Sequence, residues 1–254
     1  MKQTKSLLAL VTLTTALGCD DGHAGGVPWE GRTQVVQQRD SSSDAEVSRC
    51  IEFEGGSCEE ARAECASGAV DIALDRNGKL LDVLCYPAAP TWSVEDLAAH
   101  EGNIAQRENN TAIVLDGGDQ GVDIRGDVSV DANNVVLYGE DPSVAILDGS
   151  LTLDGNNALV RGVRITGDVS VLKNDVTLAF CVIEGSLTVS ANNLRLLGCE
   201  VHGAVNITGN NARLIGNGVA GALTPGKNAD CVENRALSDA DQDGTYDLGA
   251  PLGC

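Results

Sequence analysis

Aromatic residues make up only 3% of this 254-residue chain. Saccharide clefts lean on flat aromatic faces, so their scarcity argues against a deep sugar-cleaving groove. Positive charge is also scarce: Lys and Arg total 17 against 37 Asp and Glu, a formal net charge of −20. Such a chain repels nucleic acid and anionic lipid and attracts divalent cations, so no nucleic-acid partner is expected. No CxxC pair occurs, which removes the common zinc and dithiol-redox spacings. No apolar run reaches the length of a mature membrane-spanning helix. HExxH, GxSxG and phosphate-cradling glycine loops are absent as well.

The chain opens on a short basic start, Met1 to Lys5. A stretch of apolar or small residues follows from Ser6 to Leu17, and then Ala16-Leu17-Gly18-Cys19. This resembles a bacterial lipoprotein signal, although Ala16 stands where that pattern prefers Leu. The resemblance implies removal of residues 1–18 as a signal peptide and lipidation of Cys19. The implied product is exported and anchored in a membrane by that lipid, facing the periplasm or the cell surface. The alternative is an ordinary secretory signal with an incidental cysteine. Loss of Lys2 and Lys5 with the signal makes the mature chain still more acidic. Asp20 follows the lipid site, but that residue does not fix the membrane.

Nine cysteines occur. With Cys19 set aside, the other eight suit disulfides in an oxidising compartment. Residues 19–47 read as a polar, turn-rich tether without period, too poor in apolar surface to offset its ordering entropy. Residues 48–90 read as a small disulfide-rich α+β unit. Ser57 to Cys65 has the look of a short helix with Ser57 as N-cap. Val70 to Leu74 and Lys79 to Leu84 flank Asp75-Arg76-Asn77-Gly78, a hairpin signal. So small a unit cannot bury a large core and needs crosslinks. Four cysteines allow three pairings. Cys50–Cys65 with Cys58–Cys85 is the preferred set.

Residues 91–224 carry a repeat. GSLTLDGNNALVRGVRIT from Gly149, GDVSVLKNDVTLAFCVIE from Gly167, GSLTVSANNLRLLGCEVH from Gly185 and GAVNITGNNARLIGNGVA from Gly203 align residue for residue. A segment from Gly126 begins alike, with about five extra residues, and Ile113 to Gly126 is a more irregular earlier coil. A fixed period of this size marks a solenoid. Apolar residues at repeat positions 3, 5, 10, 12 and 17 alternate by two, the period of strands, and lack helical spacing. Asn133-Asn134, Asn156-Asn157, Asn174-Asp175, Asn192-Asn193 and Asn210-Asn211 recur at positions 8 and 9, where the left-handed backbone of a tight corner suits Asn. The pattern predicts an all-β fold, a right-handed parallel β-helix of about 18 residues per coil. It is similar to the pectate-lyase-like superfamily, with its asparagine ladder. That resemblance implies an architecture. Activity does not follow from it, since enzymes and binding proteins share the fold. Ser93 to His100 is expected as a helix capping the N-terminal end.

Cys181 and Cys199 both fall at position 15, one coil apart, at disulfide spacing. A disulfide is expected there, with a buried sulfur stack as the alternative. Residues 225–254 are expected to close the C-terminal end, stapled by Cys231–Cys254. Within them Asp239, Asp241, Asp243 and Asp247 fall at loop positions 1, 3, 5 and 9. Gly244 is at 6 and the Thr245 carbonyl at 7, a pattern suited to structural Ca²⁺. Ala250 stands where an EF-hand has Glu, and the loop is more similar to those of thrombospondin type 3 repeats.

Outward positions are mostly hydroxyl-bearing: Ser129, Thr152, Ser170, Thr188, Asn206 and Thr224 share position 4. The best polar cluster, at positions 16 and 18, comprises Arg164, Glu184, Glu200, His202 and Asp148. Glu184 and His202 are the weak acid–base candidates, expected near enough across neighbouring coils to share a proton. A solvated, salt-bridged face is the plainer reading. Taken together, the expectation is a non-catalytic binding or structural module of the cell envelope, with a polysaccharide or an envelope protein as partner. The alternatives are a polysaccharide lyase or glycoside hydrolase, and a flat Ser/Thr array for an ordered surface.

Overall fold

The computed structural model describes residues 33–34, 46–51, 69–74, 80–86, 109–115, 122–139, 141–242 and 244–254. The signal, most of the tether, and the helices expected at Ser57–Cys65 and Ser93–His100 lie outside them. So do Cys58 and Cys65, and with them the expected pairings of the small unit.

Four strands form a sheet of their own: β1 (Thr33–Gln34), β2 (Glu46–Ile51), β3 (Ala69–Leu74) and β4 (Leu80–Tyr86), in that order. β3 and β4 pair antiparallel, as a hairpin requires, while β2 and β3 are parallel.

From residue 109 onward the chain is a parallel β-solenoid with three sheets. Sheet 1 stacks six strands, among them Leu151–Leu153, Val169–Val171, Leu187–Val189 and Val205–Ile207. Sheet 2 stacks seven, from Ala112–Leu115 to Asp230–Val232. Sheet 3 has eight strands: seven stacked in parallel from Val122–Arg125 to Asn234–Ser238, and Asp247–Leu252 as the eighth, antiparallel. No helix occurs among the described residues.

The register holds without slip. Leu151 faces Val169, Val169 faces Leu187, and Leu187 faces Val205. These four are at most 1% exposed and belong to one continuous inner core. A one-residue slip would turn every such side chain to solvent, so the apolar columns themselves fix the pairing. The extra residues of the Gly126 coil are 140–144, between Gly139 and Ala145. The flanking strands on both sides remain in register.

The corners follow from backbone conformation. At position 9, Asn134, Asn157, Asp175, Asn193 and Asn211 all have φ between 56° and 61°, the left-handed region Asn and Asp tolerate. Their position-8 neighbours form a ladder. The side-chain oxygen of Asn192 accepts from the backbone N–H of Asn210 at 3.0 Å and from its Nδ2 at 2.9 Å. Asn174 does the same for the backbone of Asn192 at 2.9 Å.

The C-terminal end is closed by its own hairpin. Leu252 and Cys231 pack against the core, and Cys231 is disulfide-bonded to Cys254 with a Cα–Cα distance of 5.6 Å.

Candidate functional site: the outer face of sheet 3 and its corner

Strand alternation turns positions 16 and 18 outward from sheet 3, which places Arg164, Glu184, Glu200 and His202 on one face. The structure pairs them differently from the expected Glu184–His202 couple. Glu184 accepts from Arg164 Nε at 2.6 Å, and both are about one-third exposed. His202, just past the strand Glu200–Val201, is tied through Nε2 to Glu200 Oε1, two residues back in its own coil. Residues i and i+2 of a strand share a face, and the shorter path wins. Asp148, the other acid of the cluster, accepts from the Thr166 hydroxyl at 3.0 Å.

Glu200 is buried to an unusual degree for a carboxylate. Its side chain is 2% exposed and that of His202 15%. Glu200 Oε2 has no hydrogen-bond partner. An orphaned buried acceptor costs about 1–3 kcal/mol, so this pair is held in place by its surroundings. Part of the cover comes from the C-terminal loop: the Tyr246 ring stacks on the His202 ring, centroids 4.0 Å apart and planes 24° from parallel. Between Glu200 and Arg235, at position 16 of the intervening coil, stands Gly218. Arg235 Nε is buried and partnerless too.

The corner leading into this face carries an outer apolar layer that the repeat analysis overlooked. Leu197 and Ile215 are 4% and 0% exposed, yet they follow the inward Leu196 and Leu214 and lie outside the continuous inner core. The signal was present as two consecutive apolar residues in a strand, where strict alternation requires one to face outward. Phe180 stands at the corner itself with φ 53°, in the column occupied by Gly162, Gly198 and Gly216 at φ 63°, 57° and 66°. A bulky residue there is strained, and Phe180 is 1% exposed.

The position-15 column changes character along its length. Val163 is followed by Cys181 and Cys199, all fully buried. The two cysteines are free thiols, the sulfur stack and not the crosslink. Cys181 Sγ lies 3.3 Å from the Ala179 carbonyl and Cys199 Sγ 3.5 Å from that of Leu197. Burial pushes the Cys199 thiol well above its ordinary range, which keeps it protonated and unreactive. Next in the column come Asn217 and Asn234, at 2% and 1% exposure. They are an internal ladder that sequence reasoning also missed.

In the C-terminal loop, Asp239 Oδ2 accepts from the Gly244 N–H at 3.3 Å, and Gly244 has φ 88°. Asp239 Oδ1 is buried without a partner. That oxygen suits a cation at the first position of the expected loop. Among the described residues no three His, Cys, Asp or Glu side chains converge on a common point, and Asp243 lies outside those residues.

Comparison with protein families, with curated proteins and with solved structures found no match.

Proposed function

We propose that the chain is a lipid-anchored, exported module of the cell envelope. It binds or spaces a polysaccharide or envelope-protein partner without turnover, and calcium stabilises its C-terminal cap. One observation carries the non-catalytic part. The acid–base groups of the outer face are already committed, Glu184 to Arg164 and His202 to Glu200 beneath Tyr246. A general base must reach a substrate proton, and a histidine whose side chain is 15% exposed under an aromatic ring is poorly placed to do so. The calcium part is supported by the orphaned Asp239 oxygen and the sharp turn at Gly244. Asp239, Asp241, Asp243, the Thr245 carbonyl and Asp247 would hold the ion, which would cancel their mutual repulsion. The address rests on the Cys19 motif.

The second reading, a polysaccharide lyase or glycoside hydrolase, is favoured only by the Glu200–His202 pair. The test is a panel of envelope polysaccharides incubated with the lipidated protein. Retention of a polysaccharide with no new reducing or unsaturated ends is the expected result. Product formation lost in both Glu200→Gln and His202→Ala would overturn it. Lipid attachment is read separately, by incorporation of a labelled fatty acid that Cys19→Ala abolishes.

A further inference from the structure

We infer that Glu200 and Arg235 are the two halves of an ion-pair latch, which closes over Gly218 and ties the C-terminal hairpin to the coil that begins at Gly185. The three residues stand in one column on the outer face of sheet 3, one per coil. Glu200 Oε2 and Arg235 Nε are both buried and both without a hydrogen-bond partner. The carboxylate only accepts and the guanidinium only donates, and their charges are opposite. Each is what the other lacks.

The column offers neither group another partner. His202 takes Oε1 of Glu200 and leaves Oε2. The neighbour of Glu200 on its other side is Val182, and that of Arg235 is Pro251. Neither side chain carries a hydrogen-bonding group. Gly218 sets the gap: two strand spacings, about 9–10 Å between the outer Cα atoms, with no side chain between them. The long stem of an arginine suits such a span. The backbone needs no change. The N–H groups of Glu200, Gly218 and Arg235 already donate to the carbonyls of Cys181, Cys199 and Asn217 at 2.9, 2.9 and 2.8 Å. Only side-chain torsions turn, and closure removes the cost of two buried groups left unpaired.

The latch does what stacking alone cannot. Coils of a solenoid touch only their neighbours, so an end hairpin can open by itself. A bond that skips a coil makes the hairpin, the coil beneath it and the coil that begins at Gly185 open together. The Arg164–Glu184 pair on the same face has no such reach. It joins adjacent coils and is about one-third exposed, where salt screens it. Glu200, with its side chain 2% exposed, is shielded from that screening.

The experiment is a double-mutant cycle on the intact protein, read by amide hydrogen exchange of the hairpin strands Asn234–Ser238 and Asp247–Leu252. The distant strand Leu151–Leu153 serves as the internal reference. Glu200→Gln and Arg235→Gln are each expected to speed hairpin exchange at least about tenfold, as a locally opened unit would. The double variant should exchange no faster than either single one, because the second change removes a charge that has already lost its partner. The coupling should survive 1 M salt, unlike that of the Arg164→Gln and Glu184→Gln cycle. Single variants without effect, or effects that multiply to about a hundredfold in the double variant, overturn the latch. So does a coupling that salt abolishes. A crystal structure of the unaltered protein reads the same claim without any variant. An Arg235 nitrogen within hydrogen-bond distance of Glu200 Oε2 is expected, and a guanidinium turned away from Glu200 overturns the proposal.

Discussion

The side-chain oxygen of Asn217 accepts the backbone N–H of Cys199, one coil back, at 2.8 Å. Its Nδ2 donates to the Leu196 carbonyl at 2.9 Å and to Asn234 Oδ1 at 2.8 Å. A residue 2% exposed thus uses both ends of its amide to satisfy groups that water cannot reach. The apolar column of Val163, Cys181 and Cys199 ends there and a polar one begins. Asn217→Ala leaves the Cys199 N–H buried and unpaired. At about 1–3 kcal/mol for such an orphan, urea unfolding should show a loss of about 2 kcal/mol. A loss under about 1 kcal/mol would show that the column carries no such burden.

The outer apolar layer makes a contrast of two leucines. Leu197 is 4% exposed and Leu172 46%. Leu197→Ala should cost about 2–4 kcal/mol, as for a buried leucine, and Leu172→Ala no more than about 0.5 kcal/mol. Equal effects in denaturant titrations would mean that the corner at Leu197 is not packed.

The terminal crosslink closes a loop with a sequence separation of 23. In the chain-entropy model that is worth about 3 kcal/mol. Cys254→Ser should therefore lower the unfolding midpoint, and reductant should lower the parent protein to the same value while leaving the variant unmoved. A parent indifferent to reductant contradicts the assignment.

Calcium withdrawal should lower the melting temperature. A ligand present at a hundred times its dissociation constant adds about 2.7 kcal/mol to the folded state. Asp239→Asn, which keeps the shape of the side chain, should melt alike in calcium and in chelator. Superimposable curves for the parent protein in the two buffers remove the metal from the cap.

The solenoid was legible because each coil repeats the same choices. Leu151, Val169, Leu187 and Val205 recur at one position, and asparagines mark the same corner. Such information is local and redundant. The Glu200–His202 pair was half legible. Both residues belong to the expected cluster, but a repeat pattern points to partners across coils and not to the residue two positions back in the same coil. Leu197 and Ile215 were passed over because a template built on alternation treats the adjacent leucine as a surface residue. Tyr246 over His202 could not be read at all. It depends on the path of a non-repeating strap, and no period specifies where such a segment lands.

A stack of coils touches only its neighbours, so disorder enters such a molecule from the ends and travels inward. The last coil here is sewn to Cys254 by the disulfide from Cys231, at the point where unravelling would begin. Pulled from its C-terminus, the molecule should transmit load past the final hairpin directly to sheet 2. It should then yield coil by coil only after that stitch is cut.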